Sequence, residues 1–510
     1  MVYHLLRIEN ISEGLQNGQL PVRIGPVFMD GYGYASSLCY PEFFLYIPAF
    51  LRLTGMSMEI CYKIFLVLTI IGAYISSFYC VNKIAHDKKK AVIGAMIYSL
   101  SQYHIANLYV RGAVGEIQAF VFIPLIIYGL YNLIFEDFER PWTLGVGFWG
   151  LMLSHTISLV LCLCMAFTLG LLYFKKIVFN KKKFLKLLVT AAIVLLTSSM
   201  YWLPFLEMLF SADMYFGQPW AVVSENAVSL SQIFSISYYD YTFNFDIIIL
   251  LLCLLRLTVK REGDHAADIK KADWFLLMGA ASLWVCTNLF PWKLLQPILN
   301  NIQFPWRFYG IASMFLATAI SIFVVTRVGK KYIKESMVVV LALMIVSATV
   351  FYQNYPLDYY KIETGYFDKN SYNVVNGEWL PRTVDRELLE HGGTPAVLDT
   401  DGKSIEFQEQ KRMGITFDST GESEYFDIPR VFYKGYDAWI QTSDGAIQAL
   451  KVDGNGENGL VRVYVPQGIS GKICIAYNGT VIQTVAYVLN GISVILLLLY
   501  CYLKKRRIRR

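Results

Sequence analysis

The sequence predicts a mainly α, polytopic transmembrane helical bundle of eleven spans, with an extracytoplasmic β-rich domain before the last helix. Three observations predict it. Apolar residues gather in runs of about 17–22, the length that crosses a hydrocarbon core of about 30 Å as helix. Lys and Arg collect in short loops between those runs. Residues 353–482 abandon the runs for short alternating stretches punctuated by Asx-Gly turns.

Composition agrees. A mean hydropathy of +0.43, with 55% hydrophobic and 16% charged residues, excludes a soluble globule. The net charge of +6 raises the question of nucleic acid. Its placement in interhelical loops is instead the positive-inside signature, so the lipid bilayer is the expected partner and nucleic acid is not. Most of the nine cysteines lie inside apolar runs, as at Cys80, Cys162, Cys164, Cys253 and Cys286. With no CxxC or zinc-type His spacing, the sequence predicts no structural metal.

Residues 1–58 form a first outer loop, in which Ile8, Ile11 and Leu15 recur at helical spacing. Segment 4–16 is therefore expected as an amphipathic helix lying on the outer surface, with His4, Arg7 and Ile11 in one row and Glu9 pointing elsewhere. Phe43–Leu53, too short to span, reads as a second interfacial helix. The core, 59–352, holds apolar runs at 60–81, 91–110, 116–135, 142–154, 157–174, 185–204, 244–259, 273–291, 308–327 and 336–352. Ser154-His155-Thr156 divides 142–174 into two spans, because polar groups in mid-membrane are costly. In 353–482, Leu460–Val465 and Lys472–Tyr477 alternate between Asp453-Gly454, Asn458-Gly459 and Asn478-Gly479 turns, which predicts a β-sandwich-like domain. Residues 483–510 supply the last helix, whose apolar run is 484–503, and a basic tail.

With that division, basic clusters at Lys88–Lys90, Lys181–Lys183, Lys260-Arg261, Lys330-Lys331 and Lys504–Arg507 all fall on one side, which is the cytoplasm and holds the C-terminus. Eleven spans then place Met1 outside, and the expectation is a further helix upstream of it.

Several strings resemble a known family. They are His4-Leu5-Leu6-Arg7-Ile8-Glu9, Gly31-Tyr32-Gly33-Tyr34-Ala35, Arg111-Gly112-Ala113-Val114-Gly115-Glu116 and Gln303-Phe304-Pro305-Trp306-Arg307-Phe308, followed by Gly377-Glu378-Trp379-Leu380-Pro381 and Tyr433-Lys434-Gly435-Tyr436. Their order resembles bacterial YfhO-like integral membrane proteins, also described as related to 6-pyruvoyl-tetrahydropterin synthase, of the GT-C glycosyltransferase superfamily. The resemblance implies a multi-pass enzyme of the bacterial plasma membrane. Such an enzyme moves a sugar from a polyprenyl-phosphate donor to a cell-envelope glycan or teichoic acid on the outer face. It also implies an Asp shortly before Tyr3-His4, where this chain has Met1. Some members require a divalent cation and others none, and no two acids here are close enough in sequence to argue for one.

Transfer from a sugar phosphate needs a carboxylate or imidazole to take the acceptor's proton, and cations to stabilise the departing phosphate. Glu9, Asp30, Glu116 and His155 are the candidates for the first role; Arg7, Arg23, Arg111 and Arg307 are those for the second. His4, Tyr34, Glu207 and Trp306 are candidate substrate contacts. Each has a plainer alternative. Arg111 and Glu116 could be turn charges facing water, Arg307 a snorkelling interfacial residue, His155 a helix-end group, and Glu9 part of a solvated face. Two other function classes fit the same chain: a lipid-linked sugar flippase or transporter, and an inactive homologue acting as an envelope scaffold.

Overall fold

The computed structural model describes residues 1–509 apart from 218–220, 236–243, 330, 354–360, 375 and 392–393. In chain order its principal helices are α1 (Val2–Gln16), α2 (Tyr46–Leu53), α3 (Met58–Ala85), α4 (Lys88–Ser99), α5 (Gln102–Ile105) and α6 (Val114–Phe135). Next come α7 (Pro141–Met152), α8 (Thr156–Leu172), α9 (Lys181–Thr197), α10 (Ser199–Ser211) and α11 (Ile247–Cys253). The series closes with α12 (Ala266–Cys286), α13 (Tyr309–Val328), α14 (Ile333–Gln353) and α15 (Val481–Arg509). The chain divides into two compact units: residues 64–195 with 219–360 form the first, and 2–63, 196–218 and 361–510 the second.

The expected eleven spans are not what the helices provide. Among the described residues, five helices are long and apolar enough to cross a membrane, or six if the bent pair α9–α10 counts as one span. Apolar runs record composition, whereas spanning needs an unbroken helix. The run 91–110 breaks after Ser99: Ser101 Oγ bonds back to the Tyr98 carbonyl (2.8 Å), and the Gln102 N–H turns to the Asp246 carboxylate (3.0 Å). The pair α9–α10 bends by 72°. The break foreseen near Ser154-His155-Thr156 is present, but α7 has only 12 residues. At 1.5 Å per residue that is about 18 Å of helix.

In the first unit α6 and α13 are buried along nearly their whole length. Both are mainly apolar with no polar face along their length, as suits a central helix. Glycines set how closely α7 approaches α6. A Cβ on Gly129 would lie 2.8 Å from the Leu144 backbone, and one on Gly147 would lie 2.5 Å from the Ile126 side chain. On α3, Val67, Leu68, Ile71 and Ile75 face outward, the pattern of a helix solvated by lipid.

In the second unit the strands β1 (Val397–Leu398), β2 (Ser404–Ile405), β3 (Gln408–Gln410), β4 (Gly414–Ser419), β5 (Tyr425–Val431), β6 (Tyr436–Thr442), β7 (Ile447–Asp453), β8 (Leu460–Tyr464) and β9 (Gly471–Tyr477) form one antiparallel sheet. Their order is β2-β1-β5-β8-β7-β6-β9-β4-β3. This corrects the sandwich expectation: the strands follow one another edge to edge as a half-barrel, because β7 pairs with both β6 and β8 and joins what would otherwise be two sheets.

The opening segment needs a second correction. α1 does not lie on a surface; Leu5 through Ser12 are all buried. Leu6, Ile24, Phe28 and Met29 share one apolar cluster with Ile415, Phe417, Ile428 and Ile473 of the half-barrel. Backbone bonds bind the same pieces together: Val431 N–H to Tyr32 O (2.9 Å) and Met29 N–H to Ser371 O (3.1 Å). The Gly-rich spelling follows from the tight path. At Gly33 (φ +89°) a Cβ would meet Ile24 at 2.8 Å and Met413 at 2.9 Å.

The helix contacts yield a test. Gly129→Ala and Gly147→Ala should each cost about 1–3 kcal/mol of stability by forcing α6 and α7 apart. Gly170→Ala, inside α8 where a Cβ meets nothing within 4 Å, should not lower the thermal midpoint of the detergent-solubilised protein and should raise it slightly through helix propensity.

Candidate functional site

In the first unit four sequence-predicted residues meet: Arg111, Glu116, Trp306 and Arg307. Local structure delivers each. Arg111 ends a π-helical turn, Ala106–Arg111, and Gly112 at φ +55° reverses the chain there. That reversal places Glu116 in the first turn of α6, where the helix dipole favours a carboxylate. Arg307 sits in the 3-10 turn Pro305–Phe308, held by bonds from its Nη1 to Ile302 O (2.8 Å) and Gln303 Oε1 (3.2 Å).

Glu116 Oε1 lies 2.9 Å from Arg111 Nη1 and 3.1 Å from Arg307 Nε, while the Tyr103 hydroxyl donates to Oε2. Arg111 also donates to Asn107 Oδ1 (2.5 Å) and stands over the Trp306 ring at 4.7 Å. Phe304 stacks on that same Trp306 ring, their centres 4.9 Å apart. The side chains are little exposed: 17% for Arg111, 6% for Glu116 and 9% for Arg307. Two guanidiniums thus share one carboxylate away from bulk water, and among the described residues the group carries one net positive charge. Chemically this is a place for an oxyanion, since guanidinium forks match phosphate and carboxylate and aromatic faces exclude water.

His155 lies within electrostatic range of Glu116. Its ring caps α8: Ser158 N–H (3.2 Å) and the Ser158 hydroxyl (2.8 Å) both reach Nδ1. With Nδ1 accepting, the imidazole is suited to donate from Nε2. Tyr103 was not foreseen; it is one of 35 tyrosines, and nothing local distinguishes it. No group of three or more His, Cys, Asp or Glu that could hold a metal occurs among the described residues.

The remaining predicted residues lie in the second unit. Arg7, 1% exposed, donates to Pro41 O (2.7 Å) and Tyr40 O (3.3 Å), and covers the Tyr40 ring at 4.3 Å. His4 lies against the Tyr3 and Tyr40 rings. Glu9 is not on a solvated face: Arg52 grips both its oxygens, at 2.8 and 3.1 Å. Arg23 donates to the Asn478 carbonyl and covers Tyr487. Asp30, exposed and left-handed at φ +48°, accepts from Ser371 (2.6 Å). Tyr34 accepts the Trp379 N–H (3.0 Å). Glu207 on α10 takes the Thr480 hydroxyl and the Lys434 ammonium, the latter at 3.3 Å. Glu42, also unforeseen, is buried 3.8 Å from Arg7, and burial pushes its carboxyl up to about 7 against the pull of that guanidinium.

A family model described as 6-pyruvoyl-tetrahydropterin synthase related domain, membrane protein, matches residues 39–356. The chain belongs to this family of membrane proteins. Tyr103, Arg111, Glu116, His155, Trp306 and Arg307 all lie inside the matched region. The chain is also similar to an uncharacterized protein of Lactococcus lactis subsp. cremoris (strain MG1363). The two are 21% identical over an alignment 551 positions long, gaps included, covering 92% of this chain and 85% of that protein. Neither description names an activity.

Two measurements follow from the buried charges. Glu116→Gln leaves two guanidiniums without their shared carboxylate, and should lower stability by about 3–5 kcal/mol, seen as a fall in thermal midpoint. For Glu42 the folded state prefers the protonated form. Stability should therefore decline as pH rises from the ordinary value of 4.5 toward 7 and level off above, by about 3 kcal/mol in all. Glu42→Gln should flatten that slope in thermal midpoints taken across the same window.

Proposed function

We propose that this membrane protein is a glycosyltransferase that takes a sugar from a polyprenyl-phosphate donor and passes it to a cell-envelope acceptor, with the Arg111–Glu116–Arg307 group as its phosphate-binding centre. The observation that carries the reading is the convergence of two little-exposed guanidiniums on one carboxylate, at 2.9 and 3.1 Å, beside Trp306. In the transfer step the acceptor oxygen bonds to the anomeric carbon as the bond from that carbon to the phosphate oxygen breaks. The electron pair stays on the phosphate, and the acceptor's proton leaves to a base. Arg111 and Arg307 stabilise the growing phosphate charge, which is where catalysis gains most. Glu116, gripped by both arginines and Tyr103, is assigned to holding the guanidiniums in place, and His155 to donating from Nε2.

A second reading, binding of lipid phosphate without transfer, is favoured by the same saturation of Glu116 and of His155 Nδ1. Sugar transfer from a synthetic polyprenyl-phosphate donor, measured beside donor binding, separates the two. Arg111→Ala and Arg307→Ala should each reduce transfer by about a hundredfold or more. Arg307→Lys should recover only part of it, because Lys lacks the planar fork. Donor binding with no transfer under any condition would leave the second reading, and failure to bind donor would remove both.

A further inference from the structure

The outer face of the half-barrel carries an organised group of side chains that the transferase reading does not use. Strands β4, β9, β6 and β7 lie side by side, and their inward residues (Ile415, Phe417, Ile473, Ile475, Ala438, Ile440) are core. Alternation sends the others to the opposite face. There Trp439 of β6 is half-buried, with Cys474 of β9 and Ala449 of β7 as its register partners. Both partners are small, so the indole stands between neighbours that do not overtop it.

Two residues further along the strands comes a polar row in register, Asp418–Lys472–Gln441, all three exposed. This row lines an open cleft of about 420 Å³, whose remaining wall includes Ser419, Thr442, Ser443 and Ser470. Alternate residues of a strand are about 7 Å apart and neighbouring strands about 4.8 Å. Gln441, two residues from Trp439 on the same strand, therefore emerges on the same face as the indole, within reach of the rim of a ring stacked on it. A flat apolar surface beside a carboxylate, an amide, an ammonium and hydroxyls matches the two aspects of a sugar: its C–H face and its rim of hydroxyls.

We infer that this face is a saccharide-binding site, in which a pyranose ring stacks on Trp439 while its hydroxyls bond to Gln441, Lys472 and Asp418 and the next unit of the chain enters the cleft. The ligand class is a neutral or weakly charged oligosaccharide. Asp418 and Lys472 stand in register and cancel in charge, so the row offers a dense anion no net attraction. The inference does not depend on the proposed transfer reaction, since the site lies entirely within one sheet of the half-barrel.

The test uses the full chain in lipid nanodiscs, with binding of short hexose and N-acetylhexosamine oligosaccharides measured by titration. Trp439→Ala should weaken binding by about tenfold or more, the loss typical of a central aromatic anchor. Trp439→Phe should retain part of the affinity. Gln441→Ala and Lys472→Ala replace exposed side chains, so they keep the test sound if the tryptophan variant folds poorly; each should weaken binding severalfold. Lys403→Ala, in the β1–β2 turn, should change nothing. Wild-type protein that binds none of these oligosaccharides would overturn the inference, as would binding that all three site variants leave intact. Sugar binding without transfer activity would uphold this site while refuting the transferase reading.

Discussion

Taking the Glu116 carboxylate out of water requires cations and donors at hydrogen-bonding distance, because an uncompensated buried charge costs several kcal/mol. Much of the first unit's local geometry follows from meeting that demand. One guanidinium comes from the same turn: the π-helical end of Ala106–Arg111 and the reversal at Gly112 bring Arg111 back over the start of α6. The other comes from a distant part of the chain, which is why Arg307 stands in a short 3-10 turn and is braced by Ile302 and Gln303. Tyr103 supplies the donor to the second oxygen, and its helix is secured by Asp246, which receives the Gln102 N–H while capping α11. The result is a cationic group walled by Trp306 and Phe304 and held by its own hydrogen bonds.

The same physics governs the opening segment of the second unit. Arg7, Glu9 and Asn10 are buried with Leu5, Leu6 and Ile8, and each polar head has a specific answer: backbone carbonyls of Tyr40 and Pro41 for Arg7, Arg52 for Glu9, and the Val27 N–H for Asn10. Glu42 is held more weakly. Its distance of 3.8 Å from Arg7 is too long for a hydrogen bond, so burial outweighs the attraction and its carboxyl titrates near neutrality. The segment is thus integral to the half-barrel's core, and its glycines and left-handed residues at Met29 and Asp30 serve that packing.

Much of the first site was legible because Arg111, Glu116, Trp306 and Arg307 are polar or amphipathic residues at the ends of apolar runs, where charge is conspicuous. Their partners were less so. Tyr103 is one tyrosine among many; in the second unit, Arg52 and Glu42, which face Glu9 and Arg7, lie in a stretch whose contacts depend on how the chain returns. Helical spacing of Ile8, Ile11 and Leu15 implied one buried stripe, but it could not reveal that the polar side of α1 is covered as well. Hydropathy located the apolar runs, but only five or six helices among the described residues are long and apolar enough to span, since neither the turn at Ser101 nor the bend between α9 and α10 alters apolar content.

Sequence alone determined that this is a membrane protein with many apolar helices and a β-rich domain ahead of the last one. Run length, loop charge and strand alternation are local properties, readable within a few turns or strands. Tertiary structure decided which arginines share Glu116, that nine strands make one sheet, and that the opening segment is core. Those outcomes depend on contacts between residues far apart in the chain. Burial must be compensated by whichever partners packing brings near, and no short stretch of sequence records that choice.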